Sequence, residues 1–97
     1  MTKPKIFFNP IHGSGILTLQ WAPGPLGDAI DAKSGSGVGF FSKDGKLLAV
    51  QFDDVEEESD HQTLVFGRMK IEVTVVRSKV AFKLIRPKRI ASKRSAA

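Results

Sequence analysis

The chain contains no cysteine, which excludes a disulfide framework and thiolate chemistry. No apolar run approaches the roughly 18–20 residues that a bilayer-spanning helix needs, so no membrane partner is expected. The opening Met1-Thr2-Lys3-Pro4-Lys5 leads straight into a strand-like run with no apolar secretory core, and a cytoplasmic, soluble protein is the expectation. Stretches of about 10–12 residues, the length of an ordinary helix, show no helical spacing of apolar residues. Repeats at solenoid or propeller periods are also missing. Arginine is absent before Arg68. Up to that point five lysines stand against nine carboxylates, a balance of −4. From Arg68 onward ten basic residues face only Glu72, a balance of +9, and the two give the chain its net +5.

What is present is one domain's worth of chain, 97 residues that are 41% hydrophobic and 26% charged. That is an ordinary globular composition with apolar residues enough for one core. The dominant signals are alternation and turns. Strand-like runs cover 5–8, 16–21, 29–33, 38–42, 47–52, 63–66, 69–77 and 79–85. In the second run Leu17, Leu19 and Trp21 share one face, and Ile16, Thr18 and Gln20 the other. Asp44-Gly45 is the strongest hairpin signal, suited to a two-residue turn of type I′. Asp53, Asp54, Glu56, Glu57, Glu58 and Asp60 read as an acidic loop or a single helical turn. The expected fold is mainly β with little helix: a small antiparallel meander, or a partly open barrel or sandwich, of about six or seven short strands. It would occupy residues 1–86. Residues 87–97 hold one sizeable aliphatic, Ile90, and read as a basic flexible tail.

Three segments carry a resemblance. Lys5-Ile6-Phe7-Phe8-Asn9-Pro10, then Ile16-Leu17-Thr18-Leu19, then Asp44-Gly45-Lys46-Leu47-Leu48-Ala49 resemble, over about residues 5–54, a family of short prokaryotic β-rich proteins classified as a domain of unknown function. Asn9 stands where that family usually has an acid, and the strands after residue 63 extend past its typical member. The resemblance implies a prokaryotic source and brings no established activity. Because some members are encoded beside toxin-like partners, it also implies a binding role.

Candidate chemistry is sparse. His12 and His61 fall in expected loops. Ser14, His61 and Asp60 contain the residue types of a catalytic triad, but no nucleophile elbow or oxyanion signature accompanies them. The acidic run lacks the glycine and the alternating carboxylates of a calcium loop. Gly35-Ser36-Gly37-Val38-Gly39 follows no phosphate-binding spacing and precedes a strand, so it reads as a turn. No enzyme activity, metal or cofactor is expected. Trp21, ahead of Ala22-Pro23-Gly24-Pro25, reads either as core or as the wall of a pocket or interface. The basic residues Arg68, Lys70, Arg77, Lys79, Lys83, Arg86, Lys88, Arg89, Lys93 and Arg94 form the one set with a partner attached. They suit nucleic acid or an acidic protein, unless the acidic block neutralises them. Against nucleic acid, only Phe82 lies among them as a stacking aromatic. The leading expectation is a non-enzymatic protein-interaction module that pairs with itself as a homodimer. The alternative is a nucleic-acid-binding protein using the basic C-terminal strands and tail.

Overall fold

The computed structural model describes residues 3–23 and 27–86. Within them the alternation becomes eight strands and no helix: β1 (Lys5–Phe8), β2 (Ser14–Gln20), β3 (Asp28–Asp31), β4 (Gly37–Phe41), β5 (Leu47–Glu56), β6 (Ser59–Phe66), β7 (Met69–Val76) and β8 (Lys79–Ile85). All pairings are antiparallel. They build a five-stranded sheet in the order β1-β2-β5-β4-β3 and a three-stranded sheet β6-β7-β8. The expected tail, 87–97, lies outside the described residues.

The mainly β expectation holds, with four differences in detail. The described residues form eight strands, against the about six or seven expected. The larger sheet is no simple meander, because β5 inserts between β2 and β4. The acidic block is neither loop nor helical turn: β5 runs on to Glu56 and β6 begins at Ser59, leaving only two residues between them. Extended backbone wins there because Val55 is fully buried, and the alternation of a strand carries its acidic neighbours outward. Asp54, with φ 50°, marks the bulge that re-aims this end of β5. Finally, the Asp44-Gly45 hairpin is not a two-residue I′ turn. Gly45 N–H donates to Ser42 O and Ser42 N–H to Lys46 O. Only Gly45 takes a positive φ, 85°, which gives a three-residue loop ending in a glycine bulge.

The core lies between the two sheets. Leu17 and Leu19 of β2, Val50, Phe52 and Val55 of β5, Leu64 of β6, and Ile71, Val73 and Val75 of β7 are all fully buried. Burying side chains of this kind contributes about 1.5–3 kcal/mol each. Strand pairing sets the faces: Leu17 lies opposite Phe52 and Leu19 opposite Val50, while Ile71, Val73 and Val75 lie opposite Leu84, Phe82 and Val80. The glycine-rich segment, read as a turn, is partly a strand. Gly39 of β4 is buried opposite Val50, and a Cβ there would come within 2.9 Å of the Phe66 ring. The missing side chain is what lets the second sheet close down on the first. One flank is stitched shut where Lys33 N–H donates to Val65 O (2.6 Å) and Val65 N–H to Ser34 O (3.1 Å). The result is a partly closed sandwich, not a closed barrel.

Candidate functional site

The basic residues do not converge on one spot. Lys70, Lys79 and Lys83 project from the outer face of the small sheet, since their pairing partners Ile85, Val76 and Glu72 alternate with the buried row. Glu72 lies directly across from Lys83 in the middle of that face. Arg68 sits in the β6–β7 turn and Arg77 in the β7–β8 turn, at opposite ends of a strand roughly 25 Å long. Arg86 follows β8 at the Arg68 end. Lys88, Arg89, Lys93 and Arg94 lie outside the described residues. The acidic block does lie beside the β7–β8 turn, but through backbone: Arg77 N–H donates to Glu58 O (2.9 Å) and Ser78 N–H to Glu57 O (2.8 Å). Among the described residues no Lys or Arg forms an ion pair with a carboxylate; the one close charged contact is His61 Nε2 to Glu72 Oε1 at 3.8 Å.

The residue types of a triad are not assembled. Asp60 and His61 are neighbours on β6 and point to opposite faces. The His61 ring faces Thr74, with Nδ1 3.0 Å from Thr74 Oγ1. The Asp60 carboxylate instead accepts from Glu56 N–H and from the Gln62 side chain. No group of three His, Asp or Glu among the described residues is arranged to hold a metal.

Trp21 is half-buried and packs against the core from its margin. Its ring packs edge-on against Phe82 of β8, centroids 6.0 Å apart, which ties the two sheets together. It also lines a hollow of about 340 Å³ at one end of the sandwich with Leu47, Leu48, Leu84, Lys46 and Arg86. Its backbone N–H donates to Leu48 O (2.8 Å), which fixes the ring at the end of β2. The Nε1–H is buried with no acceptor.

A second surface escaped the sequence reading in part. Phe7, Ile11 and Ile16 are 46%, 72% and 54% exposed, and all three line one shallow depression on the outer side of β1 and β2. Alternation had marked Ile16 as facing away from Leu17. Nothing in the sequence marked Phe7 or Ile11 as its neighbours, because that needs the β1–β2 pairing, which sets Phe7 opposite Thr18. Among the described residues the strand that carries this strip, β1, is an edge of the sheet with one side of its backbone unpaired. No helix among the described residues is long and apolar enough to cross a membrane. Compared with known proteins, the chain matches no family model, no curated protein and no solved structure.

Proposed function

We propose that this protein is a non-enzymatic protein-interaction module that pairs with a second copy of itself through the β1 edge and the apolar strip beside it. The observation that carries this reading is the coincidence of an unpaired strand edge with Phe7, Ile11 and Ile16 on one depression. The other outer strands contrast with it. β3 carries Asp28 and Asp31, and β8 carries Lys79 and Lys83; charges of this kind are the usual guard against edge pairing. β6 is bridged by Ser34. β1 carries one such charge, Lys5 at its first position, and is apolar from there on, with Ile6 and Phe7 half-exposed. Two β1 strands meeting antiparallel about a two-fold axis would satisfy both backbones and bring the two strips side by side on one continuous sheet face. A cytoplasmic setting belongs to this proposal and rests on the cysteine-free composition. The resemblance over residues 5–54 supports a binding role in the same sense. Light scattering on the full chain at micromolar concentration tests it: a dimer is expected, reduced to monomer by Phe7→Lys. A monomer at high micromolar concentration overturns it.

A second reading, nucleic-acid binding, is favoured by the three unpaired lysines on the outer face of the small sheet. Such binding weakens steeply with salt through counterion release. A Lys70→Ala, Lys83→Ala double variant should flatten the salt slope. No affinity for single- or double-stranded nucleic acid at low salt removes this reading.

A further inference from the structure

The end of the sandwich beside Trp21 carries a different chemistry from the β1 strip. The hollow of about 340 Å³ has apolar walls made by Trp21, Leu47, Leu48 and Leu84. It adjoins a more open hollow of about 630 Å³ under the β6–β7 turn, and the two share Lys46, Leu47 and Arg86. Arg68 stands on the far rim. Three cations therefore rim a cleft whose only lining acid among the described residues is Asp44. The Asp44 carboxylate already accepts from the Ser42 hydroxyl, and among the described residues Lys46, Arg68 and Arg86 form no ion pair. Trp21 Nε1–H adds a buried donor without an acceptor, a rarity in folded proteins, where such groups find partners in protein, water or ligand. The elements that converge here are far apart in sequence: the end of β2, the β4–β5 loop, the β6–β7 turn and the end of β8.

We infer that this cleft binds a small amphipathic anion, an aliphatic chain ending in one carboxylate. The apolar walls take the chain, removing it from water. The carboxylate lies at the rim, where the guanidinium groups of Arg86 and Arg68 offer paired donors and Lys46 a third cation. The apolar hollow that takes the chain, about 340 Å³, is at the small end of the ~300–1,000 Å³ range of small-molecule sites, which limits the ligand to a short or medium chain. A neutral or cationic ligand of the same length gains the walls but not the rim.

Trp21 is the only tryptophan, so its emission reports directly on the cleft. Octanoate titrated into the full chain should change that emission saturably, and octyltrimethylammonium over the same range should not. Arg86→Ala, at an exposed position, should weaken octanoate binding about 3- to 5-fold, the size of a charged contact screened by water. Arg77→Ala, at the opposite end, should leave it unchanged. Circular dichroism matching the parent shows that both variants fold. Three outcomes overturn the inference: no saturable response to octanoate, an equal response to the cation, or equal losses from Arg86→Ala and Arg77→Ala. Phe7 lines a further hollow with Trp21, whereas Ile16 of the strip borders none of the hollows beside Trp21, so octanoate binding by a monomeric Ile16→Lys variant tests this site independently of self-association.

Discussion

Where the chain crosses from one sheet to the other, one carboxylate gathers three donors. Asp60 accepts from Glu56 N–H (2.9 Å), His61 N–H (2.7 Å) and the Gln62 amide (3.0 Å). Partial burial pushes its carboxyl up, but these donors outweigh that and hold it below the usual range. The folded value therefore lies below the unfolded one. The stability it contributes is fully present above the unfolded value, about 3.9, and is lost as pH falls through the folded value. Asp60→Asn should lower the melting temperature at neutral pH and flatten its fall below about pH 4. The neutral-pH loss should be about 1 kcal/mol, near that of one ordinary hydrogen bond, because water screens a site this open. A melting curve measured against pH checks both, and an unchanged acid slope would mean the hydrogen bonds do not persist in solution.

Among the elements, the turns differ most in how well their residues suit them. Gly67 alone is left-handed in the β6–β7 turn, φ 60°, and Gly45 ends the β4–β5 loop. The β7–β8 turn instead places Arg77 at φ 49° and Ser78 at φ 66°, a type I′ geometry that favours Asn-Gly. Each left-handed residue with a Cβ costs about 1–2 kcal/mol, less for Asn and nothing for Gly. Replacing the pair by Arg77→Asn with Ser78→Gly sacrifices the exposed Ser78 Oγ to Glu57 Oε2 contact at 3.2 Å. The backbone relief should exceed that loss. An increase of about 1 kcal/mol, or roughly 4–8 °C in melting temperature for a domain this size, is expected from thermal unfolding. A decrease would show that the Arg77 side chain or the Glu57 contact matters more than the strain.

At the scale of the molecule, the two surfaces make different demands on concentration and salt. Pairing through β1 is driven by apolar burial and backbone hydrogen bonds, so the melting temperature should rise with protein concentration. It should respond little to salt, because Phe7, Ile11 and Ile16 carry no charge. In the Phe7→Lys variant the concentration dependence should disappear. A concentration-independent melting temperature in the parent chain would place the β1 strip among ordinary exposed apolar residues. The basic surface obeys the opposite rule, and its contacts should fade within a Debye length of about 8 Å in physiological salt.

The sequence by itself determined the class of fold, most of the strands and the direction each faces. Those are local properties: Leu17 and Leu19 alternate with Ile16 and Thr18, and Ile71, Val73 and Val75 alternate with Lys70 and Glu72, whatever lies opposite them. It also marked Asp44-Gly45 as a turn, although not the type, which depends on how β4 and β5 register across the bulge at Phe40 and Phe41. Tertiary structure decided the rest. Strand alternation does not say that β5 pairs with β2 as well as β4, and that pairing, at the far side of the β3–β4 hairpin, is non-local. The acidic block looked like a loop because carboxylates dominate it; one buried side chain, Val55, was enough to keep it a strand. The candidate sites were the least legible. Trp21 stands out in the sequence, but Lys46 and Arg86 line a hollow with it, and Arg68 the hollow beyond, only because separate chain segments end at the same edge of the sandwich. Phe7 meets Ile16 only because β1 folds back on β2. A surface is made by neighbours in space, and spacing along the chain records neighbours in sequence.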